Sequence, residues 1–465
     1  MKITGIDIGE YRQFKNLKFD FTYPEGHDKA GQPLEKVCFI GQSGTGKTTL
    51  LNVIWDLVNR LSNLLVSQSF YKTFEDGLQD EYVIVNDQDL YTIGVIINEQ
   101  PLQLNKRKGV TRHKNISIKN GDTEYKTFFL KKGISFEIAN AIETVLESTE
   151  KLALFIKDSV SREADAFLFD QKNQPQSFSD FVKTDAQIES EKALYKERAN
   201  EAGNRKTVSF GDMRSLSIWQ YLLKDIIEYD ETTVQHITSI IQNTPKNKVA
   251  DELHKWMATD PRIELADKCL NTLLDKLFIE LDINTGSVPI KLRSKQGTEI
   301  PNNTLSTGTR QILATAIPIY KFDTKDTVIL FDEPERSLFP DIQRELVKYY
   351  TGLAPEAQFF FATHSPIIAA AFEPCERFIL YFDENGEVKY RNGVAPIGDD
   401  PNDVLRQDFW MNPLMGDEGL AAYKKYLDLA AQIRSETDEE RKNQLIIERL
   451  ELGNRYNFAG QHAPY

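Results

Sequence analysis

Cysteine is scarce in this chain: three in 465 residues, Cys38, Cys269 and Cys375, widely separated and without a CxxC pair. That excludes a disulfide framework and a cysteine-built zinc site, and it fits a reducing cytoplasm. All three read as small buried hydrophobes. Long apolar runs are also missing; none approaches the roughly 18 residues needed to cross a bilayer, so no membrane role is expected. The start, Met1-Lys2-Ile3-Thr4-Gly5, enters a strand pattern at once and does not read as a secretory signal. Positive charge is in deficit, with 56 Lys and Arg against 70 Asp and Glu and a formal net charge of −14. That balance argues against broad binding to nucleic acid or anionic lipid, although it leaves room for a local basic patch. No internal repeat and no sustained heptad occur, which removes solenoids and long coiled coils.

What is present, 40% hydrophobic and 27% charged residues, describes a globular chain long enough for two or three structural units. Ile3, Ile6 and Ile8, then Phe14, Leu17, Phe19 and Phe21, alternate as two short strands joined near Tyr11-Arg12-Gln13. A buried strand, Lys36-Val37-Cys38-Phe39-Ile40, runs into a glycine-rich turn. From Thr48 to about Ser67, Leu50, Leu51, Ile54, Leu57, Val58, Leu61 and Leu64 recur at helical spacing. Residues 81–98 read as a hairpin. Helical signals dominate 133–283, with 180–206 an exposed helix or arm and 214–283 a packed set. Strands return at Val288-Pro289-Ile290-Lys291-Leu292, a turn follows at Gln296-Gly297, and a helix opens at about Thr307. Val328-Ile329-Leu330-Phe331 and Phe359-Phe360-Phe361 suit central parallel strands. A hairpin is expected across Glu384-Asn385-Gly386 and helices from about 400.

Gly41-Gln42-Ser43-Gly44-Thr45-Gly46-Lys47-Thr48 matches GxxxxGK[ST] in the strand–loop–helix context that gives the pattern meaning. Glycines let backbone N–H groups curl round a phosphate, and the helix N-terminus adds positive potential. Lys47 is placed to reach the β- and γ-phosphates and the Thr48 hydroxyl to ligate Mg²⁺. Downstream, Thr327-Val328-Ile329-Leu330-Phe331-Asp332-Glu333 is an apolar strand ending in paired carboxylates. Asp332 is placed to hold the Mg²⁺ shell and Glu333 to polarise an attacking water.

Two further motifs narrow the class. Leu305-Ser306-Thr307-Gly308-Thr309-Arg310-Gln311 opens a helix, with Ser306 lying 26 residues before Asp332. Thr363-His364-Ser365 follows the Phe359–Phe361 run, His364 lying 31 residues after Glu333. This order and spacing resembles the ABC ATPase head, with Walker A, signature, Walker B, D-loop and switch histidine. Asp332-Glu333-Pro334-Glu335 followed by Ser337-Leu338-Phe339-Pro340 looks like the SMC/RecF/OLD-like branch rather than transporter subunits, although Phe339 stands where that D-loop usually has His. The opening Tyr11-Arg12-Gln13-Phe14-Lys15 is similar to the start of the same branch.

The resemblance implies an α/β P-loop head with a mixed or parallel sheet, a mostly helical insertion and a helical C-terminal appendix. The expected divisions are 1–132, 133–284, 285–396 and 397–465. It implies ATP and Mg²⁺ as ligands, with Gly41 to Thr49 and Arg12 at the nucleotide. It assigns Thr48 and Asp332 to the metal, and Glu333, His364 and Lys47 to catalysis. Two heads, or a higher oligomer, would sandwich ATP with Ser306 and Gly308 acting in trans. Gln88 is a candidate Q-loop residue or a plain loop glutamine. Lys291, Arg293 and Lys295 alternate on one strand face, which contacts phosphates or a partner or is simply solvated. Size and layout look like stand-alone ATPase subunits of prokaryotic anti-phage systems, the PARIS type first and the Septu type second. That likeness implies a phage trigger protein and a separate effector nuclease of Toprim or HNH type, since the 101 residues after His364 show no DxD cluster. The alternative is a RecF-like ATPase that binds DNA in repair or maintenance.

Overall fold

Alternation decides the first layer. Ile3, Ile6 and Ile8 of β1 (Lys2–Tyr11) and Phe14, Leu17 and Phe19 of β2 (Phe14–Asp20) all turn into the core. The computed structural model describes residues 1–71, 89–97, 99–107, 116–120, 123–126, 149–168, 185–211, 216–283, 288–411 and 414–458. It divides into two compact units, 1–393 and 394–465.

In the first unit β3 (Lys36–Gly41) leads into the glycine loop and then α1 (Lys47–Tyr71). Strands β4 (Asp89–Ile97), β5 (Gln100–Arg107), β6 (Ile116–Asn120) and β7 (Thr123–Lys126) extend the first pair into an antiparallel sheet, order β2-β1-β4-β5-β6-β7. The expected hairpin is thus displaced: β4 pairs with β5, while 81–88, Gln88 included, lies outside the described residues.

The larger sheet uses β8 (Ala153–Ile156), β9 (Thr207–Phe210), β13 (Val328–Asp332), β14 (Gln358–Ala362), β15 (Arg377–Phe382) and β16 (Val388–Asn392). Its order is β16-β15-β3-β14-β13-β8-β9, and every pairing is parallel except β15 with β16. Between them in sequence, β10 (Ile279–Leu281), β11 (Leu292–Ser294) and β12 (Glu299–Ile300) form a small antiparallel sheet. β13 and β14 are buried along their whole length, as strands covered on both faces must be.

β8 and β9 correct the helical reading of 133–284, because both lie inside it and both join the central sheet. A four-residue apolar run carries too little periodicity to separate strand from helix; pairing with β13 (Val328↔Ala153 to Phe331↔Ile156) decides it. Helices do fill much of the remainder, among them α2 (Val160–Leu168), Asp185–Gly203, which buries Ala199 and Ala202, and Lys224–Asn243. The strand expected at 288–292 starts only at Leu292, since Pro289 has no N–H for a ladder and its carbonyl instead accepts from buried Arg262 at 3.0 Å. Lys291, Arg293 and Lys295 each meet a carboxylate, Glu299, Glu280 and Asp275 respectively, at 2.6–2.8 Å. They form a neutralised strand face.

Packed between the two large sheets are Phe19, Phe21, Phe39, Phe360, Phe378 and Tyr390, with centroid separations from 4.4 to 6.4 Å. Nearly every apolar side chain of the first half of α1 is buried beside them. The second unit contains the helices Asp417–Ser435 and Glu439–Tyr456, with Tyr423, Tyr426 and Phe458 in mutual ring contact. Among the described residues no helix is long and apolar enough to cross a membrane. Phe21 touches Phe19, Phe39, Phe360 and Phe378 and is fully buried. Truncation in Phe21→Ala is expected to cost about 3–5 kcal/mol, read as a lowered urea midpoint; a loss under about 1 kcal/mol would show that this cluster does not join the layers.

Candidate nucleotide-binding site

The ends of β3, β13 and β14 lie side by side, so the three loops that follow them meet. In the first, Gly41, Gly44 and Gly46 have φ of +140°, +85° and +101°, a region closed to ordinary side chains. Space demands glycine as well: a Cβ on Gly41 would stand 2.1 Å from the Leu380 carbonyl oxygen, and one on Gly46 2.1 Å from Gln13 Nε2. Thr45 is buried and donates to the Gln42 carbonyl at 2.7 Å, bracing the loop from behind. Lys47 Nζ donates to the carbonyls of Gly41 (2.9 Å) and Gln42 (3.2 Å). Burial lowers its pKa to about 8, opposed by Glu333, Asp332 and Glu335.

Thr48 Oγ1 donates to Asp332 Oδ1 at 2.9 Å, joining residues 284 apart in sequence. Burial raises the Asp332 carboxyl to about 6 against that hydrogen bond, and Glu333, Asp158 and Glu335 push the same way. Glu333 leaves β13 with φ +49°, a costly conformation for a non-glycine residue, and its N–H donates to the Ala362 carbonyl at 2.9 Å. Its carboxylate lies 3.8 Å from His364 Nε2. Burial, and then Lys47, lower the His364 pKa, while Glu333 opposes them.

Gln13, Ser43, Gly44, Gly46, Lys47, Thr48, Thr49, Asp332, Glu333, Ala362 and His364 enclose a cleft of about 270 Å³. Of the expected residues Gly41, Gln42 and Thr45 shape the loop without lining this cleft. Arg12 does not line it either. Its backbone turns with φ +53° and its guanidinium lies over the Tyr11 ring, so the β1–β2 turn delivers Gln13, whose Nε2 is 3.4 Å from Thr49 Oγ1. Gln13 was legible only as a member of the turn. Glu335 was missed as a participant: its Oε1 accepts from Thr363 Oγ1 at 2.5 Å and from the His364 N–H at 3.1 Å.

The signature residues stand apart from this cleft. Ser306 caps α3 (Thr307–Lys321), its Oγ accepting from Thr309 N at 3.1 Å. Gly308 is buried against the D-loop, where a Cβ would meet the Ser337 carbonyl oxygen at 2.6 Å. Beside them a second cleft of about 360 Å³ is lined by Thr307, Gln311, Ser161, Leu305, Ser337, three arginines (Arg162, Arg310, Arg336) and one acid, Asp158. Gln311 Nε2 is buried there with no hydrogen-bond partner.

The family model described as "AAA ATPase domain" matches residues 1–369. The chain belongs to that family. No curated protein matches it. Similar solved structures include the Smc head bound to the C-winged helix domain of ScpA (11% identity, 84% of this chain and 97% of that one, TM-score 0.41). Others are the Smc head with an extended coiled coil bound to the C-terminal domain of ScpA from Pyrococcus furiosus (12%, 84% and 96%, 0.40) and the SMC head domain from Thermotoga maritima (10%, 85% and 100%, 0.38).

The residues present fit a magnesium nucleotide. Among the described residues no group of three or more His, Cys, Asp or Glu side chains encloses a metal ion. One carboxylate and one hydroxyl, hard oxygen donors, suit Mg²⁺, which keeps waters and takes substrate phosphates for its other positions. Burial thus raises the folded Asp332 carboxyl to about 6, above the free value of 3.8. Its stabilising contribution is therefore complete below pH ~4 and is lost as pH rises through 6. Without nucleotide or metal, Asp332→Asn should be more stable than wild type at pH 8 by roughly 3 kcal/mol, the gap closing by pH 4 in urea titrations. An Asn variant less stable at pH 8 would refute the assigned burial of charge.

Proposed function

We propose that this chain binds and hydrolyses ATP with Mg²⁺ and works as a dimerising switch of the SMC/RecF/OLD-like kind. The observation that carries the reading is the Thr48–Asp332 contact at 2.9 Å, with Glu333 and His364 facing each other at 3.8 Å beside it. The glycine loop offers N–H groups to the β-phosphate. Lys47, held meanwhile by two loop carbonyls, would turn to the β- and γ-phosphates, whose negative charge favours its ammonium form. Thr48 and Asp332 would hold the Mg²⁺, which when bound would draw charge from the phosphate oxygens. Glu333, swung out of the sheet by its φ of +49°, orients the attacking water, and His364 senses the γ-phosphate.

The second cleft supports the dimer. It sets three guanidiniums against one carboxylate beside Thr307 at the start of α3 and adds the unpartnered Gln311 amide donor one turn further on, a composition suited to a phosphate tail. None of its lining residues lines the Thr48–Asp332 cleft. A second copy would bring its nucleotide there, beside exposed Ser306 and the D-loop Phe339, which is 74% exposed. Gly308 would act by letting α3 approach Ser337. What the switch controls is read from the sequence resemblance: a separate effector nuclease, released when a phage trigger protein is sensed. DNA is disfavoured by the net charge of −14 and by the neutralised strand at Lys291, Arg293 and Lys295.

Fluorescent-nucleotide binding and phosphate release test the reading. Lys47→Ala should lose ATP binding, whereas Glu333→Gln should bind ATP and lose about a hundredfold or more in turnover. Hydrolysis at the wild-type rate by Glu333→Gln removes Glu333 from its role. Co-purification from the native host, wild type beside Lys47→Ala, tests the effector: a nuclease retained only by wild type supports it, and chromosomal DNA with no nuclease overturns it.

A further inference from the structure

Glu335 does not line the nucleotide cleft, yet it is tied to the residue that faces Glu333 across it. Its Oε1 accepts from Thr363 Oγ1 at 2.5 Å and from the His364 N–H at 3.1 Å. Thr363 Oγ1 in turn accepts from Ser365 N at 2.9 Å. Ser365 Oγ is 2.6 Å from Gln343 Oε1, and Gln343 Nε2 donates to the Leu338 carbonyl at 2.8 Å. Residues 363–365 are thus fastened by side chains to the segment that follows β13, at Glu335 and again, through Gln343, at Leu338. The His364 backbone is fixed, while its imidazole approaches Glu333 at 3.8 Å.

Stability alone gives no reason for an acid at this position. Glu335 Oε2 is buried and accepts no hydrogen bond, an arrangement that costs free energy. A carboxylate is acceptor-only, so a single oxygen can hold a hydroxyl and a backbone N–H together without competing for either as a donor. We propose that Glu335 is a positioning residue of the ATPase reaction, holding the His364 backbone so that the imidazole faces Glu333 at the cleft. The inference rests on the ATPase reading above. It gives Glu335 a role distinct from those of Asp332 and Glu333: it touches neither substrate nor metal, and acts through His364.

The test is a double-mutant cycle read as steady-state ATP hydrolysis. Glu335→Ala should lower kcat about tenfold to a hundredfold with KM for ATP within about threefold, since a small misplacement of a reacting group carries losses of that size. Glu335→Gln keeps an acceptor oxygen for both donors and should stay within about threefold of wild type. In a His364→Ala background, Glu335→Ala should add less than about twofold, because residues acting as one unit are not additive. Multiplicative losses in the double variant, a rise in KM with kcat unchanged, or wild-type turnover in Glu335→Ala would each overturn the inference. If Glu335→Ala does not fold, Thr363→Val removes one donor of the same clamp and takes its place in the cycle, with the same expected sign. A wild-type chain that does not turn over ATP defeats the ATPase reading itself, whereas turnover with multiplicative losses defeats only the role of Glu335.

Discussion

The register between β3, β14 and β13 is the constraint on which the candidate site depends. Phe359 pairs with Lys36 and Ala362 with Phe39, while Val328 pairs with Gln358 and Asp332 with Ala362. With the strands aligned in this way, Phe39, Ala362 and Asp332 stand level, β3 runs two residues further to Gly41, and the loops beyond the three strands converge. A one-residue slip of β13 would carry Asp332 about 3.3 Å along the strand and turn its side chain to the opposite face. The Thr48 contact would then be lost and Glu333 would face the wrong layer. Complete burial of β13 and β14 makes such slips costly, because each would drive a hydrophobic set out of its packing. The phenylalanine cluster between the sheets therefore serves the cleft as well as stability.

Charge around that level edge is deliberately uneven. Asp332, Glu333 and Glu335 lie within four residues, and one ammonium, Lys47, is the cation that burial and these acids act on together. Burial dominates both signs of group, raising Asp332 and Glu335 and lowering Lys47 and His364. Each charged form is thus under-solvated at the same place. A magnesium nucleotide supplies what both lack, a cation for Asp332 and anionic oxygens for Lys47.

Much of this was legible because the chemistry lies in contiguous strings. Gly41 to Thr48 and Thr327 to Glu335 carry their own strand context, and Ser306 announces the start of α3 as a capping residue before a run of buried positions. The parts that were not legible depend on long-range pairing. Leu152 to Ile156 lies inside the stretch read as helical, and only the ladder with β13 makes Ala153–Ile156 a central strand. Gln13 differs from Arg12 by one position in a turn, and the left-handed φ of Arg12 settles which side chain enters the cleft. Glu335 read as part of a family pattern; its partners, Thr363 and His364, lie at the end of another strand. The three cations from Lys291 to Lys295 alternate as a basic strip would, and only their carboxylate partners show that the strip is neutral.

These misses share a physical source with the site itself. A residue's role here is set by which strand end stands beside it, a property of tertiary register that local periodicity does not encode. The same dependence gives the cleft its sensitivity to ligand. Glu333 in a strained backbone, Lys47 folded onto loop carbonyls and Asp332 carrying a buried charge all raise the free energy of the ligand-free form. A ligand that relieves these three together binds the folded chain and not the unfolded one, so its affinity adds to stability. Because Glu335 joins the end of β13 to His364, and Gln343 joins Ser365 to the D-loop that packs on Gly308, that relief has a bonded path out of the cleft toward the signature helix. In the proposed dimer this path would carry occupancy of the phosphate loop to the surface where a second copy docks, which is the physical requirement for a nucleotide-dependent switch.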